Sequence, residues 1–528
     1  MTKARDIADS TKTLDVDGGT IKLDGNYPVG TGSVALGDTA LDSVQSAGTY
    51  NTAIGHNALT ANTTATNNTS VGAFSLGSNT TGEANTAVGL AALDANTTGS
   101  NNVGLGRDAL GANTTASNNT AVGYQAGLAN TTGYNNLFAG VSAGDSNTTG
   151  ALNALSGSFS GATNTTGSYN TAYGAESLYS NTTASNNTAL GYQAGYSNTT
   201  GADMVALGKG ALKLSTVGNG NTAVGNNALT SSTTPSNNTA LGDNAGAANT
   251  TGSNNTIIGK QALQANTTAS YNTAVGYQAS LNATTGAVNT FVGGLSAGLG
   301  VVTGSHNVGL GAETLYRLTS GGSNVSIGYQ ALQFNTTGSS NIAIGREALE
   351  SNTTASDNTA VGYQAGFSTT TGGENSYFGR FSGKGLTTGA GNVFLGARAG
   401  NYETPTTTGN FNTVIGSYSK VGNGGDSNAV AIGHNIVGTQ GFTTLGDAAN
   451  DIRAAHGNVT WQTVSDQRYK KDIVDSTAGL SFVNALQPRT FKYKTLGELP
   501  ETFNAYEADS TEVFKNSVTN HGFIAQEV

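Results

Sequence analysis

The sequence is poor in several residue types that most folded proteins use. It has no cysteine, five prolines and one tryptophan among 528 residues, and 10% of its residues are charged. Without cysteine, disulfides and thiolate metal sites are excluded, so stability must come from packing, backbone pairing or association between chains. The low proline content excludes collagen and the proline-rich disordered class. The hydrophobic share of 36% lies below the roughly 45–50% of soluble globular proteins, which argues against domains with a thick core.

Long apolar runs are also missing. No stretch approaches the roughly 20 residues that span a bilayer, and residues 1–30 contain no apolar signal-peptide segment. The formal net charge of −10 disfavours a polyanionic partner, because nucleic acids are held mainly by Lys and Arg on their phosphates. We therefore expect a soluble, non-secreted chain with no membrane insertion and no nucleic-acid partner.

Glycine is abundant, with 76 residues, and its spacing reveals a repeat. An aliphatic-glycine step recurs at every seventeenth residue from Gly55 to Gly293. After a one-residue insertion it continues from Gly311 to Gly396, and after a three-residue insertion it gives Gly416 and Gly433. With Gly37 the series has 24 units, which predicts a solenoid of stacked rungs. At about 4.7–4.9 Å per rung the rod would be on the order of 110 Å long.

The repeat columns predict which residues are buried. The residue before each glycine is usually Val, Leu or Ile, as in Val122, Leu190 and Ile258, and we interpret this column as the inner stripe. A second stripe has a small residue three positions after the glycine, such as Ala126, followed by Leu or Gly. Two large aliphatic side chains per rung are too few to seal an isolated solenoid. We therefore expect the inner faces of several chains, preferably three, to pack together.

The repeated Asn-Thr-Ala-Val-Gly phrase, at Asn119–Gly123, Asn221–Gly225 and Asn358–Gly362, resembles the head repeats of trimeric autotransporter adhesins. That resemblance implies a left-handed parallel β-roll with three chains per head. The seventeen-residue unit is longer than the adhesin repeat, so handedness and the number of strands per rung stay open.

The C-terminal segment differs in composition from the rest of the chain. Residues 465–528 contain 16 charged residues, against 38 in the preceding 464. Three phrases mark the segment, Ser465–Ile473, Gly479–Lys494 and His521–Val528. The middle phrase predicts a short helix, Leu480–Leu486, ended by Pro488 and followed by an alternating strand.

These three phrases resemble the C-terminal intramolecular chaperone of phage endosialidases and other tail fibres and tailspikes. In that family the domain assembles three chains, assists folding of the shaft and then cleaves its own N-terminal boundary. The resemblance implies that Ser465 is the nucleophile, Lys470 its general base and Ser465–Asp466 the scissile bond. A lysine whose pKa is lowered by desolvation is a suitable base for a serine hydroxyl. The resemblance thus implies a serine autoprotease that acts once on itself; we expect no turnover enzyme, and no cofactor or metal.

The predicted fold is all-β: a trimeric parallel β-solenoid of about 24 rungs with a small α+β C-terminal segment. We expect an N-terminal cap or attachment segment at 1–33, the shaft at 34–440, a junction at 441–464 and a partial chaperone and autoprotease domain at 465–528. The fibre resemblance implies a homotrimer in the virion, assembled in the host cytoplasm. Its partners would be other tail or baseplate proteins at the N-terminus and a glycan or protein receptor on the host surface.

The column after each glycine is the most variable, as a solvent-facing position should be. Five of its members are tyrosines followed by Gln, which could stack on and hydrogen-bond to surface sugars or could simply pack along the shaft: Tyr124, Tyr192, Tyr277, Tyr329 and Tyr363. Thirteen Asn-Thr-Thr triplets predict a stacked turn rather than glycosylation sites. A stacked Thr ladder also leaves an ice-binding solenoid open as an alternative, and a bacterial surface adhesin is the other.

Overall fold

The structure is a computed structural model. It describes residues 14–16, 19–21, 31–401, 405–448, 450–457, 462–463, 489–501, 506–513, 515 and 520–522. The chain divides into two compact units, Met1–Thr463 and Val464–Val528.

The first unit is built almost entirely from three-residue strands separated by turns. The strands of this unit are β1 (Leu14–Val16), β2 (Gly19–Ile21), β3 (Val34–Leu36), β4 (Thr52–Ile54), β5 (Thr69–Val71), β6 (Thr86–Val88), β7 (Val103–Leu105), β8 (Thr120–Val122), β9 (Leu137–Ala139), β10 (Ala154–Ser156), β11 (Thr171–Tyr173), β12 (Thr188–Leu190), β13 (Val205–Leu207), β14 (Thr222–Val224), β15 (Thr239–Leu241), β16 (Thr256–Ile258), β17 (Thr273–Val275), β18 (Thr290–Val292), β19 (Val308–Leu310), β20 (Val325–Ile327), β21 (Ile342–Ile344), β22 (Thr359–Val361), β23 (Ser376–Phe378), β24 (Val393–Leu395), β25 (Thr413–Ile415), β26 (Lys420–Val421), β27 (Val430–His434), β28 (Val437–Gly438), β29 (Phe442–Asp447), β30 (Asn450–Ala455) and β31 (Gln462–Thr463).

Successive rungs pair in parallel and in register. In β8 and β9, for example, Thr120 lies opposite Leu137 and Ala121 opposite Phe138, so equivalent residues of neighbouring rungs stack on one another. The same pairing runs from β3 through β25 to β27, one strand for each of the 24 repeat units. The predicted parallel β-solenoid is therefore confirmed, with about 24 turns.

The glycine that recurs at the same place in every repeat unit, which we call the column glycine, is required by the backbone conformation. Gly123 has φ +136°, which L side chains rarely adopt, and a Cβ placed on it would lie 2.5 Å from the carbonyl oxygen of Gly140 in the next rung. A side chain at this position would separate the rungs. The constant spacing of glycine along the sequence is thus the spacing at which two backbones come into contact.

The interior is partly polar and is held by two ladders of buried asparagines. In the first ladder, the side-chain amide of Asn130 donates to Oδ1 of Asn113 at 2.9 Å and to the carbonyl oxygen of Gly133 at 2.8 Å. In the second, Oδ1 of Asn119 accepts the backbone N–H of Asn136 at 2.9 Å, and its amide donates to Gly133 at 2.8 Å. Buried amides need such partners. The Asn-Thr-Thr triplets are structural turns, as predicted.

The apolar core differs from rung to rung, because a large side chain at one position is matched by a small residue at the positions that contact it. About half of the rungs bury an alanine at the centre of the strand, and half bury a leucine four residues after the column glycine. In β9 the strand centre is Phe138, and a Cβ on Gly127 or on Gly144 would lie 2.5 or 2.4 Å from its ring. Glycine replaces leucine there because the aromatic ring occupies the space. Whether this column holds Leu or Gly therefore depends on the size of the side chains at the strand centres that it contacts.

The predicted inner stripe is wrong. The residue before the column glycine points outward, and the alanine one position earlier points into the solenoid: Val122 is 42% exposed, whereas Ala121 is buried. Successive side chains of a strand point to opposite faces, and the interior between the asparagine ladders has room at the strand centre for alanine in about half of the rungs. The second predicted stripe, exemplified by Ala126 and Leu110, is buried as expected.

The two ends of this unit contain antiparallel strands. Strands β1 and β2 form an antiparallel pair. At the other end β29 continues the parallel sheet beside β27, and β30 and β31 then add to it in antiparallel orientation.

In the second unit, β32 (Arg489–Phe491) pairs antiparallel with β33 (Asn520–Gly522), and a 3-10 helix spans Leu496–Glu498. The backbone N–H of Thr495 donates to the Glu498 carboxylate at 2.9 Å, and this hydrogen bond lowers the pKa of Glu498. The helix predicted at Leu480–Leu486 lies outside the described residues.

Candidate functional surfaces

The outward side of the long sheet is apolar. We use the term outer apolar face for the residues immediately before the column glycines. Their most exposed aliphatic and aromatic members are Ile54, Val88, Val122, Tyr173, Leu190, Leu207, Leu241, Ile258, Ile344, Phe378, Leu395 and Ile432. The strand residue two positions earlier points the same way and is mostly Thr or Val.

Such a face is unusual in a single chain. Parallel sheets normally have both faces covered, and contiguous exposed apolar surface larger than a few hundred Å² marks an interaction site. Here one face is covered by the solenoid's own turns and the other carries Leu241 at 47% and Leu395 at 46% exposure. The outer apolar face is therefore a candidate interaction surface of the shaft. The strict alternation of side chains along a strand was the sequence signal that could have revealed it.

The five tyrosines named as possible receptor contacts are all exposed, between 37% for Tyr363 and 52% for Tyr277. They lie in one column but on separate rungs, and each is the residue after a column glycine. Two arginines stack against three of them. The Cζ atom of Arg107 is 5.8 Å from the ring of Tyr124, and that of Arg346 is 5.7 Å from Tyr329 and 5.9 Å from Tyr363.

The glutamines that follow these tyrosines are used within the shaft. The side-chain amide of Gln278 donates to Gln261 at 2.9 Å, and that of Gln330 donates to Glu313 at 2.8 Å, each in the preceding rung. Gln193 and Gln364 make the same kind of contact, with Glu176 and Glu347. The glutamines at these four positions therefore join neighbouring rungs.

The threonine ladder is also partly engaged. The hydroxyl of Thr97 donates to the carbonyl oxygen of Thr114 at 3.0 Å, and the first threonine of most other triplets does the same. The second threonine, for example Thr98, is exposed. The surface of free hydroxyls that an ice-binding site would present is therefore limited to one threonine per rung.

The residues predicted for self-cleavage, Ser465, Asp466 and Lys470, lie outside the described residues. Over the part of the chain that is described, no group of three or more His, Cys, Asp or Glu side chains has the arrangement of a metal site. No helix among the described residues is long and apolar enough to cross a membrane.

Comparison with known proteins identifies the C-terminal segment. Residues 465–528 match the model of the Peptidase_S74 family, described as the chaperone of endosialidase. No curated protein matches the chain. The chain thus combines a β-solenoid of about 24 turns with a C-terminal segment of endosialidase-chaperone type, an arrangement that resembles tail fibres and tailspikes.

Proposed function

We propose that this protein is the shaft of a phage tail fibre, a homotrimer whose three solenoids pack through their outer apolar faces. The observation that carries the proposal is the outer apolar face, whose exposed aliphatic side chains recur along the sheet, in a chain whose C-terminal segment matches the chaperone of endosialidase. Three chains around one axis would cover this face without leaving a free sheet face. The shaft serves host-surface attachment in the virion, with its N-terminal end joined to other tail proteins.

Covering this face would contribute favourably to assembly of a trimer. Full burial of a Val or Leu side chain contributes about 1.5–3 kcal/mol. A residue such as Val122, 42% exposed, has roughly two fifths of that still to gain, about 0.6–1.2 kcal/mol. Summed over the twelve most exposed members this gives on the order of 7–14 kcal/mol per chain, which is comparable with the roughly 4–15 kcal/mol of lost translational and rotational freedom.

The repeat itself creates the need for an assembly domain. Because neighbouring rungs present nearly the same outer residues, two shafts displaced by one rung bury almost as much apolar surface as two shafts in register. A C-terminal trimeriser that aligns the three chains before the rungs pack removes this ambiguity. Once released, it leaves a long non-local β-structure that unfolds very slowly.

Release would occur by hydrolysis of the Ser465–Asp466 bond. The hydroxyl of Ser465 attacks the carbonyl carbon of the Ser465–Asp466 bond while Lys470 takes its proton, Lys470 gives that proton to the leaving amine of Asp466, and one water then hydrolyses the ester that remains and restores the hydroxyl. The support is the match of residues 465–528 to the chaperone family.

The test is the intact mass of the protein, expressed from its complete reading frame, under denaturing conditions beside Ser465→Ala and Lys470→Ala. We expect the wild type to end at Ser465 and both variants to keep their full length. Sedimentation under native conditions should give three times the mass of the chain. An uncleaved wild type would overturn the self-cleavage assignment, and a native monomer would overturn the trimeric shaft.

A further inference from the structure

Three cations surround one aromatic ring near the C-terminal end of the shaft. The ring centroid of Phe381 lies 4.5 Å from Cζ of Arg380, 4.9 Å from Nζ of Lys384 and 5.5 Å from Cζ of Arg398. We call these four residues the Phe381 cluster. Arg380 and Arg398 are exposed, and Phe381 and Lys384 are partly exposed.

The repeat aligns the cluster with aromatic rings of neighbouring rungs. Arg398 occupies the position of Phe381 one rung later, and both have the same left-handed backbone conformation, φ 60° and 59°, so they stack directly. Tyr363 lies 5.2 Å from Phe381 on one side, and Tyr418 lies 5.7 Å from the guanidinium of Arg398 on the other. The result is a stack of rings and guanidinium along the shaft axis, which holds Arg398 between two rings.

The positive charge of the cluster is not neutralised locally. Residues 375–402 contain these three cations and no carboxylate, in a chain of net charge −10. None of the three forms an ion pair with a carboxylate among the described residues. The nearby Glu347 interacts electrostatically with Lys384, but its carboxylate lies 2.7 Å from Arg346 and accepts a hydrogen bond from Gln364, and these interactions, the Gln364 hydrogen bond first, lower the pKa of Glu347.

The fold does not require this arrangement. Other rungs place neutral residues at the same positions; Tyr124 and Gln125 occupy the columns of Arg380 and Phe381. The three like charges around one ring repel each other, and this repulsion offsets part of the cation–π attraction to Phe381. Stacked arginines nevertheless keep the N–H edge of the guanidinium free, and that edge matches a carboxylate bidentately.

We propose that the Phe381 cluster binds an acidic polysaccharide whose sugars carry carboxylates. The arginines and Lys384 take the carboxylates, and the exposed edges of the Tyr363 and Tyr418 rings contact the sugars. The stack runs along the shaft, which suits a polymer with repeated anionic groups. The inference rests on the proposed attachment function and assigns it a ligand class and a place on the shaft.

The test is equilibrium binding of the full chain to immobilised polygalacturonate, with polyphosphate and neutral dextran as comparison polymers. The triple variant Arg380→Gln, Lys384→Gln, Arg398→Gln removes the cluster. The matched control is Lys209→Gln, Lys213→Gln, Lys260→Gln, which removes the same charge from other rungs; Lys209 and Lys213 occupy the same columns as Arg380 and Lys384.

We expect the wild type to bind polygalacturonate in preference to polyphosphate and dextran. The cluster variant should bind at least about tenfold more weakly, as expected for loss of one or more charge-assisted hydrogen bonds, and the control within about twofold of wild type. Equal weakening by both variants, equal binding of polyphosphate, or no binding of polygalacturonate would each overturn the proposal. Sedimentation of the same samples keeps the two hypotheses apart, because a monomeric wild type overturns the trimeric shaft whatever the binding result.

Discussion

The glycine column offers the sharpest test of the solenoid, because a single methyl group at a column glycine should disturb two rungs. Gly225 has φ +138°, and a Cβ on it would lie 2.4 Å from the carbonyl oxygen of Gly242. Gly294 is a matched control in the same shaft, since a Cβ there meets nothing within 4 Å and its φ lies outside the left-handed region.

The expected magnitude follows from two contributions. Holding alanine in a backbone region that only glycine favours costs about 1–3 kcal/mol. The contact with Gly242 adds to this, because its carbonyl belongs to a paired backbone that has no free rotation, so we expect Gly225→Ala to lose about 3 kcal/mol or more. Gly294→Ala should be neutral or stabilise by about 0.4–1 kcal/mol through the unfolded chain.

Hydrogen exchange resolved by peptide is the appropriate assay, because long repeat arrays unfold by segments and a single melting temperature does not describe them. Gly225→Ala should raise amide exchange around residues 220–245 and leave distant rungs protected. Gly294→Ala should leave the exchange of its own rung unchanged. Equal exchange in the two variants would refute the account of the glycine column.

Three further predictions concern the interior and the surface. Phe138→Ala should cost about 3–5 kcal/mol, and adding Gly127→Leu should recover most of the loss because the leucine refills part of the space that the ring occupies. Hydrogen exchange of the rungs around residues 121–144 measures this in the two variants, and no recovery would contradict the coupling of Phe138 with Gly127. Asn130→Ala should lower the local free energy of unfolding by about 2–4 kcal/mol and raise local hydrogen exchange, since it breaks the asparagine ladder and leaves the groups bonded to Asn130 unpaired. Unchanged exchange would show that the ladder contributes nothing to stability. Folding lowers the pKa of Glu347 below its ordinary 4.5, chiefly through the hydrogen bond from Gln364. The ionised Glu347 carboxylate therefore stabilises the fold above its ordinary pKa, and this stabilisation is lost as the pH falls through the lowered pKa. Glu347→Gln should make the local stability less dependent on pH on the acid side. An unchanged pH dependence would contradict this.

The sequence predicts the rung count and the strand positions because both follow from one contact, the approach of column glycines such as Gly123 and Gly140. It predicts the wrong buried column because a regularly repeated aliphatic column such as that of Val122 is expected to lie in the interior. The narrow interior takes Ala121 instead, and an aliphatic residue can remain outside where another surface covers it. The coupling of Phe138 with Gly127 is visible in the sequence only after the structure shows that residues from adjacent rungs fill one space. The Phe381 cluster could not be predicted from single columns either, because its residues come from different columns and from adjacent rungs.

Cysteine labelling tests the central claim most directly, because the chain has no cysteine of its own. Leu241→Cys places a thiol on the outer apolar face, and Tyr271→Cys places one in a turn column where the side chain is 64% exposed. In the native protein we expect maleimide to label position 271 rapidly and position 241 slowly, with both rapid in urea, since the trimer covers the outer apolar face. Rapid native labelling at both positions would contradict the account.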